Sequence, residues 1–348
     1  MKKKTQILLI PAAALLALLG AFLAGACAYK LGYLSEVKRI LLQPSPQPTE
    51  TVQVIQPDFS FELLDDPTGA AMNDKALPEN ETPLKFLVAG HIYGKPGEDA
   101  FHPSPNLINN VSLLDKLDAD FMVFLGDTVW KPTEENFDVL AALVLDPLDM
   151  PVFNAVGNHD VTKRDIYQER FGSTVFAFQY KQQLFLFLDT TLKYYDLTED
   201  EYTFIRDVIQ ERSPEITTIH IFMHHVLFLE EEEILSKPLL KPNEADGNSP
   251  AFLEFVNSEL VPVSATTPIY IYAGDVGAFE IGNLSPFYKK MPQANITFLA
   301  TGLGGNQFDS ILILDTAPDN SLIIQPFSLT GREMGKIEDY SLEEWSKR

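Results

Sequence analysis

Five apolar runs, taken in order along the chain, end in residues able to hold a metal ion or move a proton. They are Ala89-Gly90-His91, Leu125-Gly126-Asp127, Val156-Gly157-Asn158-His159-Asp160, Met223-His224-His225 and Ala273-Gly274-Asp275. Imidazole nitrogens and carboxylate or carboxamide oxygens are donors that suit Zn, Mn or Fe. In open α/β sheets, ligands gather outside the carboxyl ends of strands, where loops converge. The glycine that precedes most of these polar residues lets the backbone turn sharply and approach closely. One strand ending this way is uninformative, but five in order point to a site. Cys27 is the only cysteine, so thiolate metal sites, cysteine catalysis and an intrachain disulfide are excluded.

Elements that would position these residues follow from the hydrophobic pattern. Leu84–Ala89, Phe121–Leu125, Pro151–Val156, Thr217–Met223, Ile269–Ala273, Ile296–Ala300, Ile311–Leu314 and Leu322–Gln325 read as strands, and Phe176–Leu188 as two strands around Lys181-Gln182-Gln183. Helical spacing covers Asn106–Leu117, Glu134–Leu145, Glu199–Glu211 and Phe252–Leu260. Strands alternate with helices early and cluster late, which predicts a mixed α/β sandwich. No internal repeat is visible.

The chain has 348 residues, 45% of them hydrophobic, and a formal net charge of −23. That length holds one large core, or a domain with appendages. The acidity argues against nucleic-acid partners, whose affinity rests on clustered Lys and Arg, and fits a soluble, self-repelling surface. Lys2, Lys3 and Lys4 precede an uncharged Leu- and Ala-rich stretch, Thr5–Tyr29, long enough to cross a bilayer as a helix. Residues 1–30 therefore read as a retained signal anchor that leaves the lysines in the cytoplasm and the rest outside it. Two alternatives remain: cleavage after Ala24-Gly25-Ala26, or lipidation of Cys27 in a loose lipoprotein box. Residues 31–83 read as a juxtamembrane helix (Leu31–Leu42) and a linker that includes Gln43-Pro44-Ser45-Pro46-Gln47-Pro48. The domain then spans residues 84–329, and residues 330–348 form a charged, peripheral tail.

The ordered strand ends resemble the calcineurin-like metallophosphoesterase superfamily, whose motifs are D-x-H, G-D-x-x-D, G-N-H-[DE], a lone His after a strand, and G-H-x-H. Gly126-Asp127 and Gly157-Asn158-His159-Asp160 match well, and His224 fits the lone histidine. The first motif instead reads His91-Ile92-Tyr93, the last reads Gly274-Asp275-Val276-Gly277, and Trp130 stands where the second acidic residue of G-D-x-x-D belongs. The resemblance implies a four-layer α/β (α+β) sandwich and one or two divalent or transition metal ions. One metal would be held by Asp127, Asn158, His224 and Asp275. The other would fall to His91, Tyr93, Asp127 and Gly277, and that set has lost a ligand. His91 and Asp275 would be a compensating exchange if their loops are neighbours. His159 would protonate the leaving oxygen, with Asp160 orienting its imidazole or closing the turn.

Several residues have plainer readings. His225 is a packing or outer-shell residue rather than a ligand; with Tyr93, a pocket wall, it is placed on the substrate-binding side. His220, inside an apolar strand, is a satisfied core histidine. Glu230–Glu233 is a solvated acidic run, and Gly302-Leu303-Gly304-Gly305 a tight turn rather than a phosphate loop. The function expected is hydrolysis of phosphate mono- or diesters outside the cytoplasmic membrane, on a small phosphoester or an envelope component. The competing expectation is an inactive member of the fold that binds a ligand or an envelope partner.

Overall fold

Alternation of side chains along the short strands decides the architecture. In β2 (Lys85–Gly90) and β3 (Phe121–Leu125), Phe86, Val88, Phe121, Val123 and Leu125 point to one core, while Leu87, Ala89, Met122 and Phe124 point to another. Successive residues of a strand face opposite sides of its sheet, so both faces of this sheet are covered. The computed structural model describes residues 61–95, 102–212, 215–236, 242–243, 247–279, 283–317, 321–345 and 347. The expected anchor, juxtamembrane helix and Pro-rich stretch lie outside these residues. Among the described residues no helix is long and apolar enough to cross a membrane.

Two sheets face each other. The five-stranded sheet has the order β12-β11-β2-β3-β4, with β4 at Val152–Asn154, β11 at Ser310–Thr316 and β12 at Leu322–Ser328. The seven-stranded sheet has the order β1-β5-β6-β7-β8-β10-β9. Its strands are β1 (Phe61–Leu64), β5 (Val175–Tyr180), β6 (Gln183–Phe187), β7 (Thr218–Met223), β8 (Ile269–Ala273), β9 (Phe287–Lys290) and β10 (Ile296–Ala300). Between them lies an aromatic layer in which Phe86, Phe121 and Phe153 meet Phe178, Phe185, Phe187 and Phe222. Full burial of such a side chain contributes about 1.5–3 kcal/mol. Helices Pro105–Asp115, Glu134–Leu140 and Arg164–Phe171 cover the outer face of the smaller sheet; Glu199–Arg212 and Pro250–Phe255 cover that of the larger. The result is the expected helix–sheet–sheet–helix sandwich.

Register brings the strand ends level. β2, β3 and β4 run parallel with Gly90 opposite Leu125, and β7 and β8 run parallel with Met223 opposite Ala273. Each strand therefore delivers its following residue to the same end of its sheet.

Some expectations need correction. Phe61–Leu64 falls inside the segment read as linker, yet it forms β1 and pairs in parallel with β5. The tail is not peripheral: Ile337 and Tyr340 are buried, and the Trp345 indole N–H donates to the Pro286 carbonyl at 2.9 Å. β9 and the helix Arg164–Phe171 are additional elements. The helices beginning at Glu134 and Pro250 each pass into a π turn, Ala141–Leu145 and Val256–Leu260, so the expected spans hold but their last turns are wider.

Candidate metal centre

The seam between the sheets is closed by glycine. A side chain at Gly274, after β8, would collide with the carbonyl oxygen of Leu125 at the end of β3. The ends of the two sheets therefore touch, and their loops share one space. Two non-glycine residues here adopt the left-handed backbone region, His91 (φ 50) and Asp127 (φ 55). Such conformations cost of order 1–3 kcal/mol and cluster where function requires them.

Asp127 is the pivot of the site. It is buried; one carboxylate oxygen lies 3.4 Å from His224 Nε2 and the other 3.6 Å from His91 Nε2. The His159 backbone N–H donates to the oxygen on the His224 side, at 3.1 Å. A carbonyl can only accept, so the partners of the histidines fix their tautomers. His224 Nδ1–H donates to the Leu125 carbonyl (2.7 Å) and His91 Nδ1–H to the Leu303 carbonyl (2.9 Å). Both rings thus turn the Nε2 lone pair toward Asp127. Burial, aided by the nearby His224, pushes the His91 imidazole down to about 3, so it stays neutral through the physiological range.

Beyond His224 the donors multiply. Ligand atoms of His224, His225 and Asp275 all lie within 4.8 Å of one another, and all three residues are buried. Nε2 of His224 and Nε2 of His225 are buried without a hydrogen-bond partner. A buried polar atom left unsatisfied costs about 1–3 kcal/mol, a penalty that a bound cation relieves. Two imidazole nitrogens beside a carboxylate are a donor set for a first-row transition ion, so the residues fit the metal that the fold implies. His225 is therefore placed with the candidate ligands rather than only behind them. Burial, with His224 alongside, lowers its imidazole well below the usual range.

The loops of His91 and Asp275 are neighbours, as a compensating exchange requires, because a side chain at Gly90 would collide with Gly274. The close acidic partner of His91, however, is Asp127, while Asp275 gathers with the two histidines of β7. At the position where the resemblance expects the last ligand, Gly277 has φ 91 and abuts the Gly302 carbonyl so closely that a Cβ would clash. The backbone itself excludes a ligand there.

On the other flank, Tyr93 is a buried wall whose ring lies 4.4 Å from that of His91 and 5.1 Å from that of His159. His159 stacks on Trp130 at 4.3 Å, and its Nδ1–H donates to the Trp130 carbonyl at 2.9 Å. The residue standing in for a missing carboxylate thus supplies a main-chain acceptor and a ring. Asp160 closes the turn: its carboxylate accepts from the Thr128 N–H (2.7 Å), the Thr128 hydroxyl (2.6 Å) and the Gly157 N–H (2.9 Å). Asn158 lies in this same loop and is half-buried.

The plainer readings hold elsewhere. His220 has both ring nitrogens engaged, Nδ1 with the Tyr272 hydroxyl (3.0 Å) and Nε2 with Gln183 (2.7 Å). The N–H groups of Gly304 and Gly305 are taken by Asp309, which makes that segment a turn. Lys289 pairs with Glu230 and Glu233. The roles of the Leu125, Leu303 and Trp130 carbonyls had no sequence signal, since any residue type supplies a carbonyl.

This chain belongs to the calcineurin-like phosphoesterase family, whose model matches residues 71–257. Its fold is similar to that of a dimetal phosphatase from zebrafish (Danio rerio), with a TM-score of 0.50 at 10% identity, covering 72% of this chain and 97% of that one. A purple acid phosphatase from yellow lupin (Lupinus luteus) seeds is 14% identical with a TM-score of 0.48; the match covers 76% of this chain and 54% of that chain, so this chain spans about half its length. No curated protein matches the chain in sequence.

Proposed function

We propose that the chain is a metal-dependent phosphoesterase that hydrolyses phosphate mono- or diesters on the outer side of a membrane, anchored through Thr5–Tyr29. The observation that carries this reading is the Asp127 carboxylate, set between His224 Nε2 and His91 Nε2 at 3.4 and 3.6 Å. Asp127, Asn158, His224 and Asp275 would hold the ion, with His91 at the edge of the set. A bound Zn, Mn or Fe ion lowers the pKa of water toward neutrality and offsets charge on phosphoryl oxygens.

The chain's own groups do the rest. With Nδ1–H of His159 committed to the Trp130 carbonyl, Nε2 is the atom that carries the proton to the leaving oxygen. The stack on Trp130 and the nearby Tyr93 ring restrict the swing of that imidazole. Asp160 keeps the Asn158–His159 loop against Thr128, one residue from Asp127. Tyr93 limits the space open to substrate.

Elemental analysis of the full chain, beside an Asn158→Ala, His224→Ala double variant, tests the reading, together with hydrolysis of p-nitrophenyl phosphate and bis(p-nitrophenyl) phosphate. The expected result is bound transition metal that the double variant loses, with turnover lost alongside it. A chain that takes up no metal under replete conditions is not a hydrolase of this kind.

A further inference from the structure

We propose that His225 is itself a metal ligand, so that the ion is gripped by two consecutive imidazoles from the end of β7 together with Asp275 from the end of β8. This rests on the metal-dependent reading above and adds to it a donor that the family's motifs do not assign.

Histidines of one strand supply the comparison that carries the inference. His220, in the middle of β7, has a partner for each ring nitrogen, as a structural histidine should. His224 and His225, just past the strand, each have one nitrogen engaged and the other buried without a hydrogen-bond partner. The engaged nitrogen is Nδ1 in both, held by the Leu125 carbonyl for His224 and by the Thr190 hydroxyl, at 2.7 Å, for His225. Ligating histidines are oriented in this way, with the non-ligating N–H given to a fixed acceptor. The Tyr195 ring meets the His225 ring edge-on at 4.3 Å and 71°, which holds the imidazole plane from a second side. A ring nitrogen from each histidine and a carboxylate oxygen of Asp275 lie within 4.8 Å of one another. A packing histidine needs no such convergence. In the ligating tautomer, His225 donates Nδ1–H to the Thr190 oxygen and presents the Nε2 lone pair to the ion.

The test strips the full-length chain with a chelator and titrates it with Co(II) and Zn(II), reading affinity by competition with a chromophoric chelator and coordination from Co(II) absorption. His225→Ala should weaken binding about 100-fold or more and alter the Co(II) spectrum. Thr190→Val, which leaves every donor in place, should weaken it about tenfold, as loss of an orienting partner does. Thermal melts of the metal-free proteins control for folding, and if His225→Ala does not fold, the Thr190→Val result decides. Variants that bind as tightly as the unmodified chain overturn the His225 assignment and leave the phosphoesterase reading standing. An unmodified chain that binds neither ion overturns both.

Discussion

The two oxygens of Asp127 look onto unlike surroundings. On one side stand His224, His225 and Asp275, with ligand atoms within 4.8 Å of one another; Nε2 of each histidine is buried without a hydrogen-bond partner. On the other stands His91, flanked by Tyr93, with His159 and Trp130 beyond in a run of rings spaced 4.3 to 5.3 Å apart. Nitrogen and oxygen crowd the first side, and aromatic carbon lines the second. The first is a set of donors that could hold a cation, and the second a wall of rings around the His159 imidazole. The site thus divides into a ligand side and a wall side.

His224→Ala should break the ligand side outright, with metal affinity falling beyond the roughly 10- to 100-fold that outer partners control and turnover following; titration and hydrolysis assays read both. His159→Ala belongs to the wall side and should lower kcat by about 10²- to 10⁴-fold while metal content stays unchanged. Metal lost along with turnover in that variant would erase the division. Asp160→Ala removes a carboxylate that ties both loops together, and the cost in urea unfolding should be about 3 kcal/mol.

His91→Ala sharpens the comparison most. Metal content per chain should not change, and affinity should fall by no more than about tenfold; a drop from two ions to one would mean that the wall side binds metal after all. The smallest effect concerns the reference histidine. His220 is pushed down to about 3 by burial, against 6.5 when unfolded. Below pH 6.5 the unfolded chain binds a proton that the folded chain refuses, so stability falls as pH drops through that window. In His220→Gln, the acid limb of stability between pH 6 and 4 should be shallower by about 1.4 kcal/mol per pH unit.

Much of this arrangement was legible in the chain because apolar runs and the residues that end them are side-chain facts. Phe121–Leu125, Ile269–Ala273 and Ile296–Ala300 fall where the pattern puts them, and the five strand ends do converge. What the side-chain pattern does not carry depends on main chain or on distant partners. Trp130 reads as a lost carboxylate, yet its carbonyl does the holding. His225 reads as a bystander because nothing in Met223-His224-His225 says which nitrogen Thr190 will engage. β1 and β9 are four-residue strands, too short to show a period, and their identity comes from β5 and β10 beside them. In the tail, Ile337, Tyr340 and Trp345 are isolated apolar points in a charged run, and their burial comes from the domain they pack against.

The Leu125 carbonyl does two things at once: it lies against the α-carbon of Gly274 and accepts the proton of His224 Nδ1. Candidate ligands therefore straddle a joint, with Asp127 and Asn158 riding on one sheet and His224, His225 and Asp275 on the other. An ion bound there is a rivet through two plates. Loading it should raise the melting temperature in step with free metal concentration, and sliding one plate past the other should eject it before either sheet comes apart.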